Sequence, residues 1–559
     1  MQRKIALSRT GPSRAPQRCM LAVLLAHVFM APHAGAAELE TGNPDLKLRW
    51  DNTVKYSTGF RVKSADAALT GDPNQDDGNR NFDRGLMSNR FDLLSEFDAS
   101  YKNFGLRISG AAWYDFEYNK ANDNDSAPGT LNAFGVAHDR FPSETRKVNG
   151  RDAELLDAFV SGRFEPAGKP VTFRLGRHAL IWGESLFFGG NGIANGQAPI
   201  DVNKALSVPN LRFNELIRPD NQVSAQVQLS PNVSVAGYYK LSWEENRLPG
   251  VGSYFSSIAP DFTLPGSDML YVPGQGTSIF FRRAADMEAG KSGQGGLQLK
   301  VRLEDPDVDL GFYALQYNDR NFQVLVKPGQ FSNPALAPNQ IGEYQLAYHE
   351  HTRTYGISAS TSVGNVNFAG EISVHRNLGL QSTAQTDLTG TSDNHHNPLY
   401  AVGNSLQAQV SWIASLGPSF IASEASWVGE VAWNRRTSIT KNPGALDPNT
   451  TRDAWSLRTI YEPSYRQALP GLDLSVPVGL GYTPSGRSSV VGGFGVPHGG
   501  DISIGLNGTY LDSWRLGISY THYFGPAGTF LVPITLANQT FKQSLKDRDF
   551  VSLSVRRTF

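Results

Sequence analysis

Between Leu46 and Lys63 every basic residue sits at an odd position: Lys47, Arg49, Lys55, Arg61 and Lys63. A strand turns alternate side chains to opposite faces, so these five share one face. Arg174, and Lys300 with Arg302, fall on the corresponding face of later stretches. A row of cations facing water draws in carboxylates and guides them along itself. Asp92, Glu96, Asp98, Asp115 and Glu117 supply acidic rows nearby, and opposed rows create a transverse field that orients charged solutes. The same charges also serve to pair with one another and keep an interior wet. Both readings stand at this point, with Arg49, Lys55, Arg61, Arg174, Lys300 and Arg302 as the candidate solute path.

Other chemistry is less well supported by spacing. Asp72-Pro-Asn-Gln-Asp-Asp-Gly78, with Asp83, offers alternate oxygens like a calcium loop, but glycine falls one place late and the bidentate Glu is absent. A solvated outer loop is the expectation. His349 and His351 share a face and, with His395-His396, suggest zinc without satisfying any ligand spacing. Serines and histidines occur in many stretches, but nothing singles out a Ser-His-acid triad of the kind a barrel lipase needs. No catalytic residue, metal or cofactor is therefore assigned.

The elements that must position these charges are strands. Leu46, Leu48, Trp50, Val54, Tyr56, Phe60 and Val62 form an apolar face against the basic one. The stretch is long enough to cross a bilayer as a tilted strand, which needs roughly 9–11 residues. After the polar segment 64–88, the alternation returns in hairpins: Phe91 to Tyr101 runs to a turn at Lys102–Gly105, and Leu106 to Tyr118 runs back. Short turns recur near Glu165–Pro170, Ser230–Asn232, Asp305–Asp307, Val363–Val366, Ser415–Ala422, Gln467–Gly471 and Asp512–Ser513, built from the residues that turn geometry requires. Pro477 interrupts an otherwise regular strand. The pattern predicts an all-β, transmembrane, antiparallel up-and-down barrel of about eighteen strands, sixteen being the alternative, with short periplasmic turns and long extracellular loops.

The connection at about 178–220 is too apolar to float in water and is expected to fold into the mouth or lumen as a constriction. Its motifs carry a resemblance. Leu175-Gly-Arg177, Trp182-Gly-Glu-Ser185 and Pro199-Ile-Asp-Val202, followed by Lys204 and Pro209, with Trp243 and Gly252-Ser-Tyr-Phe255, resemble the proteobacterial outer-membrane proteins filed as domain of unknown function number 1302. His178 departs from the Gln expected there. The resemblance implies a barrel associated with catabolism or export of hydrophobic compounds, and makes Gly176, Arg177, Trp182, Gly183 and Glu184 the family signature. Arg177 and Glu184 are expected to pin the loop to the wall as an ion pair, with Leu186, Phe187 and Phe188 as apolar contacts for a hydrophobic solute.

The ends of the chain place it. Arg3, Lys4, Arg9, Arg14 and Arg18 precede an apolar run from Met20 to Ala31 and then Ala34-Gly35-Ala36, the order of a secretory signal peptide cleaved after Ala36. The single cysteine, Cys19, leaves with it, so residues 37–559 form one domain without disulfide chemistry. The formal charge of −1 becomes more acidic without those five bases, which gives no support to nucleic-acid binding. About nine residues precede the first strand, too few for the plug of an energised receptor. The last strand ends at Phe559 and resembles the signal read by the barrel-assembly machinery. Outer-membrane lipid, lipopolysaccharide and a small solute are the expected partners. The expected function is passive passage of a small organic compound, hydrophobic or carboxylated; a non-conducting scaffold of an export system and, remotely, a lipase are the alternatives.

Overall fold

Alternation over the full width of a bilayer leaves backbone groups that only a neighbouring strand can satisfy, and the chain resolves this by closing on itself. The computed structural model describes residues 37–126, 131–210, 213–333 and 337–559; the expected signal peptide lies outside them. Eighteen antiparallel strands form one closed barrel. In chain order β1 is Leu46–Arg61, β2 Gly85–Tyr101, β3 Phe104–Asp115, β4 Arg151–Phe164, β5 Val171–His178 and β6 Asp220–Ser230. Then come β7 Val233–Lys240, β8 Gly295–Glu304, β9 Asp307–Tyr317, β10 Thr352–Val363, β11 Val366–Gly379 and β12 Val402–Leu416. The last six are β13 Glu424–Lys441, β14 Asp453–Leu469, β15 in two pieces at Leu472–Ser475 and Val478–Gly486, β16 Gly500–Tyr510, β17 Trp514–Phe524 and β18 Phe550–Thr558. The break in β15 falls at Val476-Pro477, where proline cannot donate to the ladder. A short strand, Ala37–Leu39, pairs with Leu48–Trp50 at the start of β1.

The seam is made by the two ends. Thr53 to Arg61 of β1 pairs with Thr558 to Phe550 of β18. Beyond it Asn52 and Phe559 exchange both backbone hydrogen bonds, at 2.7 and 2.9 Å. Outward positions are large and apolar, among them Trp50, Leu93, Ile108, Leu175, Ile357, Ile504 and Leu553, all exposed. An exposed apolar belt around a closed barrel is the surface that hydrocarbon solvates.

The dry cores lie elsewhere, in the long connections. Phe82, Tyr118, Phe141, Tyr254 and Phe255 form one cluster beyond the strand ends, with the Phe82 and Tyr254 rings edge-on at 5.6 Å. A five-stranded sheet (Met269–Tyr271, Phe280–Arg283, Gln323–Pro328, Gln340–Ala347 and Gln385–Thr386) builds a second layer there. The expectation of a solvated loop at Asp72–Gly78 is overturned: Asp76 and Asp77 are wholly buried. The Asp77 N–H donates to Asp261 at 2.9 Å. Burial, then the nearby Asp261 and Asp76, push the Asp77 carboxyl well up, and burial pushes Asp261 up to about 7. His349 does not join His351. It is buried against Tyr400 and the Asn377 carbonyl, while His351 meets His395 with ring centres 4.3 Å apart. Among the described residues no group of three or more His, Cys, Asp or Glu is placed to hold a metal.

Candidate functional site

The connection between β5 and β6 enters the lumen and is fastened to the far wall by two glutamates. Glu430, inward on β13, accepts backbone N–H bonds from Leu186, Phe187 and Phe188 through one oxygen, at 3.0, 2.5 and 3.1 Å. Glu371, inward on β11, accepts from the N–H groups of Glu184 and Ile193 at 2.7 and 2.9 Å and from Gln409 at 2.9 Å. A carboxylate facing several converging N–H groups makes charge-assisted bonds, roughly twice as strong as neutral ones. Two glycines permit this path. A Cβ on Gly176 (φ +125°) would meet the Ala158 carbonyl oxygen at 2.4 Å, and one on Gly183 (φ +103°) would meet a Glu371 carboxylate oxygen at 2.7 Å. Trp182 is buried beside Tyr238 and Tyr313, and its backbone N–H donates to the Gln197 side-chain oxygen at 2.7 Å.

Tethering the loop to β11 and β13 leaves space along the inner face of β1 to β5. At the long-loop end a cavity of about 360 Å³ is lined by Trp113, Lys147, Arg218, Arg247 and Arg320 among others. Trp113 also borders a throat of about 30 Å³ with Lys55, Asp92, Lys204 and Glu215. Leu94, Leu156 and Glu215 are shared between the throat and a chamber of about 230 Å³, completed by Ile181, Ile217 and Asp157. Arg107 links that chamber to the next space, reaching Glu96 at 2.5 Å, Asp157 at 3.4 Å and Asp98 at 2.8 Å. At the short-turn end Lys47, Arg49, Asp98 and Arg174 line a wide cavity of about 740 Å³.

The throat is densely charged but almost fully matched. Lys204 and Arg247 grip Glu154 at 2.8 and 2.7 Å, and Arg247 reaches Asp201 at 2.9 Å. Asp201 also caps the helix Val202–Ser207 through the Lys204 N–H. Arg90 holds Asp92 at 2.8 Å. Lys55 differs: its ammonium donates to the Pro209 carbonyl at 3.2 Å, and no carboxylate among the described residues lies within ion-pair distance of it. The Trp113 ring carries cations around it, Lys204 at 4.8 Å, Arg90 at 5.3 Å and Arg247 at 5.9 Å. Its indole N–H is buried without a hydrogen-bond partner among the described residues.

The residues singled out from sequence therefore separate. Lys55 lines the throat, and Arg49 and Arg174 line the wide cavity. Arg49 lies 2.7 Å from Asp51. Arg61, expected on the solute path, is instead sealed in the outer layer, paired with Asp547 at 3.0 Å with both side chains essentially inaccessible. Arg302 is exposed beside a short turn and paired with Asp307 at 2.8 Å and Asp309 at 3.6 Å. Lys300 is likewise exposed, on the same face of β8. The expected Arg177–Glu184 ion pair is not formed. Arg177 bonds Glu244 at 3.1 Å and the Leu156 carbonyl at 3.0 Å; the turn at Gly183 carries Glu184 across to Ser358, at 3.3 Å. Phe188 packs on Phe494 of the far wall, ring centres 5.6 Å apart, so it is committed to holding the loop. His178 contacts Ser224 at 2.8 Å, but its other ring nitrogen meets the Gly176 carbonyl and not an acid.

Trp113, Leu94 and Leu156 escaped the sequence reading. Each is apolar at a position whose parity points inward, and that mismatch is the signal that marks them.

A family model described as "Protein of unknown function (DUF1302)" matches residues 18–559. No curated protein matches the chain. Among solved structures, Acinetobacter baumannii OccAB1 is similar at 10% identity and a TM-score of 0.43, over 95% of this chain and 99% of that one. A BenF-like porin from Pseudomonas fluorescens Pf-5 overlays at 10% identity and a TM-score of 0.40, over 94% and 99%. Pseudomonas aeruginosa OpdK with vanillate does so at 10% and 0.39, over 94% and 100%. Likeness of this degree says nothing of cargo.

Proposed function

This chain belongs to the DUF1302 family, and from the interior its barrel encloses we propose that it is an outer-membrane channel for passive passage of small organic compounds. The observation that carries the reading is the file of cavities on the inner face of β1 to β5, running from the long-loop end to the short-turn end. The stretch of the constriction loop from Glu184 to Ile193 is fastened to the opposite wall, while Lys204 and Glu215 on its return narrow the file to the throat. The charged lining favours water-soluble, anionic cargo over an apolar solute drawn along the loop, since Phe188 is packed away. Location in the outer membrane, export with cleavage near Ala36, and contact with lipid, lipopolysaccharide and the assembly machinery through the last strand are parts of the same proposal. The throat of about 30 Å³ supports a second reading, a closed barrel serving as scaffold. Single-channel recording of the refolded 37–559 chain separates the two: steady current supports the channel, and electrical silence of folded protein overturns it.

A further inference from the structure

The throat and the chamber below it differ in character, and the difference describes a ligand. At the throat, each acid leans on another cation: Asp92 is held by Arg90 through one oxygen, its second oxygen having no hydrogen-bond partner among the described residues, Glu154 by Lys204 and Arg247, and Glu215 lies 4.0 Å from Arg556. Lys55 is the cation left over, 3% exposed and bonded to one carbonyl. Beside it the Trp113 indole N–H is a second buried donor with nothing to donate to. Leaving a buried donor unpaired costs free energy, and so does burying an ammonium whose neighbouring carboxylates, Asp92 and Glu215, stay beyond ion-pair distance and have cations of their own. Two such donors bordering one small space form a site for an acceptor that carries negative charge. The space holds about one water's volume, so a head group fits and a ring does not. The chamber beside it is walled by Leu94, Leu156, Ala179, Ile181 and Ile217. Of its acids, Glu96 and Asp157 are both tied to Arg107, and Glu215 lies 4.0 Å from Arg556.

We infer that the throat binds a single carboxylate head group through Lys55 and Trp113 while the Leu94–Ile217 chamber takes an apolar tail, making the cargo an amphipathic monocarboxylate. Length is bounded by the chamber of about 230 Å³, which a short aliphatic chain fills. A neutral alcohol of the same length satisfies the chamber but not the ammonium, and a bare inorganic anion satisfies the throat but not the chamber. This inference rests on the channel reading for its physiological sense, but the site is testable without current.

The probe is hexanoate, with acetate and hexanol as comparisons, added to the refolded 37–559 chain and to Lys55→Met, Trp113→Phe and Ile217→Asn. Folding of each is checked by the heat-dependent gel shift of closed barrels. Equilibrium binding in detergent is measured by calorimetry, alongside block of single-channel current. Hexanoate is expected to bind more tightly than acetate or hexanol. Lys55→Met is expected to weaken it about tenfold or more, as loss of a charged hydrogen bond does. Trp113→Phe weakens both acids by a smaller factor, and Ile217→Asn weakens hexanoate while sparing acetate. Hexanol binding as well as hexanoate, or folded variants that bind hexanoate like the parent, overturns the proposal. Silence in the bilayer with intact, Lys55-dependent binding overturns the channel and leaves the site standing.

Discussion

One oxygen of Glu430 is shared by three successive backbone N–H groups, and the last of them, Phe188, is held at 3.1 Å. Glu371 holds the loop at two points nine residues apart, the Glu184 N–H through one oxygen and the Ile193 N–H through the other. The backbone of the constriction loop thus hangs from two wall carboxylates, and side-chain contacts such as Phe188 on Phe494 add to that hold.

Replacing Glu430 by Gln keeps the shape but removes the charge. Each hydrogen bond to a charged group contributes roughly 1.5–3 kcal/mol, so the variant is expected to lower thermal stability and to widen the lumen intermittently. Larger, flickering conductance steps check this. A parent-like trace in the Glu430→Gln, Glu371→Gln double variant would show that the loop is held by its packing alone.

Arg49 and Arg174 border the wide cavity at the short-turn end. Changing both to Ala is expected to reduce anion preference in reversal-potential measurements at low salt. The effect should fade toward 1 M salt, where the Debye length falls to about 3 Å. Persistence at high salt would mean that the two residues act through structure.

Arg61 shares the parity of Arg49 but faces a different fate. Breaking its buried pair with Asp547 leaves that carboxylate with Arg548 at 2.7 Å and the Asp66 N–H at 3.0 Å, so the cost falls below the roughly 3–5 kcal/mol of a fully stranded charge. Arg61→Ala is expected to lower the denaturant midpoint or block assembly, with ion selectivity unchanged in whatever protein folds.

Asp319 sits in the outer layer, accepting from Thr352 at 3.1 Å and from the Gly379 N–H at 3.3 Å. Burial pushes its carboxyl up to about 7. The folded state therefore holds a proton that the unfolded chain, titrating near 4, has lost. The stabilisation is full below about pH 4 and declines as pH rises through 7, by at most about 1.4 kcal/mol per unit. Protection of the amides at residues 318–322 and 377–379, corrected for the intrinsic pH dependence of exchange, should fall between about pH 4 and 7, and Asp319→Asn should flatten that dependence.

Where an element's neighbours are close in sequence, the residues alone sufficed. The alternation from Leu46 to Phe60 determines which face of β1 meets lipid, and turn residues such as Lys102-Asn103 and Gly364-Asn365 fix the hairpins. Partners far along the chain were not legible. Parity alone cannot distinguish Lys55 from Arg61, because Asp547, 486 residues away, decides that the latter is sealed. Likewise proximity in sequence points Arg177 to Glu184, while the fold brings in Glu244. The buried state of Asp76 and Asp77 was hidden for the same reason: polar sequence reads as solvated until loops from distant hairpins cover it.

The bonds between Asn52 and Phe559 bear on the order of biosynthesis. The first and last strands of the barrel are neighbours, so β1 keeps an open edge until β18 has been made. Such a chain cannot complete its fold while it emerges. The strands between must be kept unaggregated until then, and contacts of the greatest sequence separation are slow to form. Deleting Phe559 alone is expected to leave secondary structure largely in place yet slow the appearance of heat-resistant barrel, which pulse-chase of the gel shift would register.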